Sequence, residues 1–175
     1  MRKALVLLLA ACAWAQSPKY GVGRAPTADE VRQWAITPTP GGKGLPQGRG
    51  TAAEGREMYA NRCGRCHGSK GEGSESVALV GGQGSLTSPK PLKTVGSYWP
   101  YATTVFDYIR RAMPYDKPGT LSDSQVYAIT AYVLFLNGIV QETTVLDAAS
   151  LPKVLMPNRD GFVKDTRPDV KPVKR

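Results

Sequence analysis

The pentapeptide Cys63-Gly64-Arg65-Cys66-His67 constrains this chain more than any other stretch. Its two thiols lie one helical turn apart, so both can bond one planar group while the adjacent imidazole falls beneath it. Cys-x-x-Cys-His is the pattern that attaches a c-type haem through two thioethers, with the histidine as proximal iron ligand. A bare Cys-x-x-Cys also suits a zinc knuckle or a redox pair. The residue inventory argues against both. His67 is the single histidine, and the one other cysteine, Cys12, lies in a stretch that reads as an export signal. The mature chain therefore lacks the Cys and His ligands that a zinc cage requires. No βαβ context surrounds the pair, as a thioredoxin-like site would need. One covalent haem c is expected, and a single motif excludes a second.

The amino terminus places that chemistry outside the cytoplasm. Met1-Arg2-Lys3 is a short basic head, and residues 4–11 are an apolar run too short to span a bilayer. Ala13-Trp14-Ala15 fits a signal-peptidase site, giving a signal peptide over 1–15 and a periplasmic mature chain. Leu9-Ala10-Ala11-Cys12 also fits a lipobox, in which Cys12 becomes a lipidated membrane anchor; both readings stand.

Glycine and proline concentrate outside residues 51–140, which suggests a compact middle flanked by irregular arms over 16–50 and 141–175. In the first arm Thr27 and Glu30 have capping-box spacing, with Val31 and Trp34 on one face of a short helix. Thr51 and Glu54 open a second helix that carries Gly55, Met58 and Tyr59 before it delivers Cys63. Gly55 is small enough to let another helix approach closely. Residues 68–84 read as a glycine-rich loop around the haem edge. Phosphate binding there is a weak reading, because no strand precedes the glycines and no Gly-Lys-Ser/Thr follows.

Tyr98, Trp99 and Tyr101 precede a helix over about 102–111, and Trp99 or a tyrosine such as Tyr98 is expected to donate a hydrogen bond to a haem propionate. Arg110 and Arg111 could face the propionates or solvent. That helix stops at Met113-Pro114, since proline disfavours helix in the residue before it. Met113 is thereby placed on a loop after a rigid element, as an axial thioether requires. Met156 also precedes a proline and is a rival, but it lies beyond the last helix. Ser122 and Gln125 cap that helix, whose stripe is Val126, Ile129, Thr130 and Val133 and whose end is Asn137-Gly138. Charge adds one further bound. The formal net charge is +9, with no aromatic-basic interleaving or DNA-binding motif, so no nucleic-acid partner is expected. A solvated surface and steering toward an acidic redox partner both account for it. The arms, with Trp34, Leu151, Val154, Leu155, Met156 and Phe162, are expected to form partner contacts or to wrap the core.

The order helix, Cys-x-x-Cys-His, glycine loop, helix, Met-Pro, amphipathic helix resembles a class I cytochrome c, an all-α fold, over residues 51–140. Residues 94–114, 134–140 and 156–162 resemble more narrowly the cytochrome subunit of Sox sulfane dehydrogenase and of related sulfite dehydrogenases. The resemblance implies a molybdopterin sulfite-oxidase-like partner subunit as electron donor and a downstream cytochrome as acceptor. Sulfite and protein-bound sulfane sulfur both remain open as the donor's substrate. With His67 and Met113 filling both axial positions, the chain is an electron-transfer subunit rather than a catalyst alone. A free-standing periplasmic shuttle and a haem-based ligand sensor are the competing readings.

Overall fold

The computed structural model describes residues 20–163 and 165–167. The signal reading of 1–15 and the anchor at Cys12 lie outside them, as does much of the basic tail. The described chain divides after Ala35 into two units.

Among its described residues the first unit holds one helix, α1 (Ala28–Trp34). Its capping box forms as the spacing predicts: Thr27 Oγ1 accepts the Glu30 N–H, and Glu30 Oε2 accepts the Thr27 N–H at 2.7 Å. Glu30 also accepts from Arg24 at 2.8 Å. That guanidinium first, and then the Thr27 amide, hold the Glu30 carboxyl down at about 2. Val31 and Trp34 remain exposed on this helix.

The second unit contains the remaining helices, α2 (Ala52–Arg62), α3 (Gly64–His67), α4 (Ala102–Ala112) and α5 (Asp123–Leu136), with single 3-10 turns at Ser85–Thr87 and Leu151–Lys153. Strand β1 (Arg49–Gly50) pairs antiparallel with β2 (Leu146–Asp147), Gly50 opposite Leu146. Thr51 with Glu54 and Ser122 with Gln125 form reciprocal capping boxes on α2 and α5. Each satisfies two amides that a helix start leaves without intrahelical acceptors.

Helix α5 is the axis of the core. Every residue from Val126 to Val133 is buried, where the sequence predicted a stripe. Each side of the helix has a different neighbour. Tyr127 packs on Phe106 of α4 with ring centroids 4.4 Å apart, and Tyr132 packs on Tyr59 of α2 at 5.2 Å. Ala128 meets two glycines: a Cβ on Gly55 would lie 2.0 Å from Ala128 O, and one on Gly50 would lie 2.4 Å from Ala128 N. Gly55 therefore serves the close approach expected of it, and β1 uses the same notch.

Of the two readings of the second arm, its packing supports the one in which it wraps the core. Leu146, Leu151 and Met156 are buried among the helices, while Leu155 and Phe162 are exposed. In the first arm, Leu45 packs against the core and Pro46 O accepts from Tyr127 Oη at 3.0 Å. Both arms thus close the core that residues 51–140 leave open.

Candidate haem site

Helix α2 ends at Arg62, and Cys63 is at once its C-cap and the N-cap of α3. The motif is one tight turn: the His67 and Cys66 amides both donate to Cys63 O, at 2.9 and 3.1 Å. The loop that follows folds back over it. Ser76 N–H donates to Cys66 O and Gly73 N–H to His67 O, each at 2.7 Å. Tyr59 Oη donates to Gly68 O at 3.0 Å, tying α2 to the residue after the histidine. The His67 Nδ1 lies 2.8 Å from Val77 O. A carbonyl can only accept, so Nδ1 carries the proton and Nε2 is left free as a metal donor.

Cys63, Cys66, His67, Trp99 and Met113 all line one cleft of about 460 Å³. Its walls are largely apolar: Tyr59 from α2, Val105 and Ile109 from α4, Ile129 and Val133 from α5, and Leu79 and Val95 from the loops. Met113 is the extended C-cap of α4, its amide donating to Ile109 O. Pro114 behind it is buried. The rival Met156 is buried in the core and does not line the cleft.

Tyr98 is likewise not brought to the cleft. Its ring packs edge-on against Phe162 at 5.2 Å, beneath Lys93 Nζ at 5.0 Å. Arg110 and Arg111 also stay away from it, donating to Asp123 and Asp107 at 2.8 Å. The basic residues on the lining are instead Arg62, Arg65 and Lys93, which no periodicity in the sequence marked. The Val77 carbonyl was equally invisible there, since a main-chain acceptor has no residue signature.

The donor set fits haem c better than a bare ion or a redox pair. Among the described residues no group of three or more His, Cys, Asp or Glu could hold a metal ion. An iron at His67 would need equatorial nitrogens from a porphyrin. Cys63 and Cys66 are half-buried and not joined to each other. Burial first, then the nearby Cys66 sulfur, push the Cys63 thiol up to about 11. Such a thiol stays protonated at neutral pH and makes a poor thiolate nucleophile. A thioether has no proton to lose and is unaffected.

Comparison with known proteins agrees. The family described as cytochrome c oxidase, cbb3-type, subunit III matches residues 50–133. The crystal structure of the sulfane dehydrogenase SoxCD from Paracoccus pantotrophus superposes with a TM-score of 0.77 at 43% identity, covering 86% of this chain and 75% of that one. The chain is a class I c-type cytochrome. The cytochrome is also 31% identical, over 112 residues, to the thiosulfate dehydrogenase of Stutzerimonas stutzeri (strain A1501). That match takes in 62% of this cytochrome but 34% of the relative, so the chain spans about a third of that curated protein's length. The cytochrome carries covalently bound haem c, as its family implies. No helix among its described residues is long and apolar enough to cross a membrane.

Proposed function

We propose that this cytochrome accepts electrons singly from a molybdopterin subunit that oxidises a reduced sulfur compound outside the cytoplasmic membrane, and passes them to a downstream cytochrome. The likeness to sulfane dehydrogenase over most of both chains carries this reading. Haem iron supplies a one-electron ferric/ferrous couple. The chain's part is to hold it. Cys63 and Cys66 would give the two thioethers, His67 Nε2 and Met113 Sδ would hold the iron, and Trp99, which lines the same cleft, would donate a hydrogen bond to a propionate. A thioether favours ferrous iron more than a second imidazole would, which raises the potential into a range suited to accepting electrons. With two side chains holding the iron, a sulfur substrate would find no open position on it. The apolar walls from α4 and α5 keep water from the buried face and limit the reorganisation that accompanies electron transfer.

The test uses the full chain purified from its own cells. A molybdopterin subunit should co-purify with it, and adding sulfite, thiosulfate or a sulfane-carrying protein should produce the sharp ferrous absorption band. If no such subunit accompanies the chain, and none of the three donors reduces it in a cell extract, the donor assignment is wrong and a general shuttle is the better account.

A further inference from the structure

The Asn137 side chain joins three segments behind the cleft. Its Nδ2 donates to Val133 O on α5 at 2.9 Å and to Leu79 O at 3.1 Å. Its Oδ1 accepts from Gly81 N–H at 3.3 Å, and Gln83 Nε2 reaches its main-chain oxygen at 3.3 Å. The carboxamide also requires a glycine beside it: a Cβ on Gly96 would lie 2.1 Å from Asn137 Oδ1. A helix C-cap needs none of this. Asn137 closes α5 with its own amide, and Gly138, at φ +70°, completes the turn.

Leu79, which Asn137 grips, is two residues beyond Val77, whose carbonyl accepts the His67 Nδ1 proton. Between His67 and Leu79 the chain is pinned at Ser76 N–H on Cys66 O and at Leu79 N–H on Gly71 O. The second pin rests on the loop itself; the hydrogen bonds that fix this end to the rest of the domain begin at Leu79 O, with Asn137 and Val95 N–H as its donors, and continue at Gly81, whose N–H donates to Asn137 Oδ1 and whose oxygen accepts from Thr94 Oγ1 at 2.6 Å.

We infer that Asn137 is a positioning residue for the iron: by fixing Leu79 it holds the Val77 carbonyl on the His67 ring and so sets the basicity of the proximal imidazole. A carbonyl on Nδ1–H makes the imidazole a stronger donor and favours ferric iron. Weakening that contact raises the potential. The inference rests on His67 being the proximal ligand.

The test compares the haem-loaded wild type with Asn137→Ala, Asn137→Asp and Gln83→Ala. In Asn137→Ala the reduction potential should shift upward, and in both Asn137 variants the His67 Nδ1 proton, read by NMR in the ferrous protein, should exchange with solvent faster than in the wild type. Asn137→Asp retains the Oδ1 acceptor but loses both donors, and is read in place of the alanine variant if that variant fails to take up haem. Gln83→Ala touches Asn137 without touching Leu79 and should move neither quantity. A lower melting temperature with potential and proton exchange unmoved would overturn the inference and leave Asn137 a structural clamp. A wild type without ring resonances of an iron-bound His67 would instead overturn the ligand reading, and this inference with it.

Discussion

The two sides of the haem cleft are built differently. On the histidine side Cys63, Gly64, Cys66, His67 and Gly68 each give or take a main-chain hydrogen bond, and the loop over 69–77 returns four bonds to this turn, from the Gly71, Gly73 and Ser76 amides and the Val77 carbonyl. On the methionine side Met113 is tied back by one amide bond to Ile109 O at 3.1 Å. Beyond Pro114, residues 115–120 are all exposed, and the loop's recorded bonds are Lys117 N–H to Pro114 O and Thr120 Oγ to Lys117 O. Of the two proposed ligands, His67 is fixed by its whole surroundings and Met113 by the end of one helix. The lesson is that, under the proposed ligation, the two axial bonds would differ in local stability, with the thioether side the first to open when the protein is stressed.

The most severe way to break this comparison is to remove what both sides share. Cys63→Ala with Cys66→Ala should abolish covalent attachment, so that acidified organic solvent extracts any haem present; haem still retained after that double change would refute the thioether assignment. Next in size are the methionines, which separate ligation from packing. Met113→Ala should eliminate the weak sulfur-to-iron band of the ferric protein, lower the potential and admit carbon monoxide to ferrous iron. Met156→Ala should leave all three alone and cost about 2–5 kcal/mol of stability by denaturant titration, because it empties a fully enclosed site. An exchange of these two phenotypes would assign the ligand to Met156.

A smaller effect sharpens the histidine side alone. Tyr59→Phe leaves the buried Gly68 carbonyl with the Gly71 amide as its remaining donor and should cost about 0.5–1.5 kcal/mol. The same substitution has a pH signature. Burial raises the Tyr59 hydroxyl above its ordinary value, so its contribution is fully present below about pH 10 and is lost as pH rises through the raised value. Burial likewise pushes Tyr127 up to about 12. The phenylalanine variant should therefore lose less stability than wild type between neutral and strongly alkaline pH, without becoming flat. Equal alkaline slopes in the two proteins would show that Tyr59 ionises as freely when folded as when unfolded.

What the sequence made legible was local chemistry. Thr27 with Glu30, Thr51 with Glu54 and Ser122 with Gln125 each announce a helix start through a side chain three residues from its partner, and all three form. The haem motif and the smallness of Gly55 are of the same kind. What stayed hidden depends on distant segments or on main-chain atoms. Leu146, Leu151 and Met156 follow neither a helical nor an alternating period, because the strand pair is two residues long and the rest is turn, so their burial could not be read from spacing. Val77 acts through its carbonyl, and Asn137 read only as a helix stop.

The pairing of Gly50 with Leu146 joins positions at opposite ends of the cytochrome unit, and this sets an order of events in biogenesis. While the chain is being made, Cys63 and Cys66 emerge long before the residues that seal their core. Contacts of such sequence separation form late, because the intervening loop must first be ordered. The two thiols are therefore presented on a chain whose core is still unsealed, open to the machinery that joins them to haem.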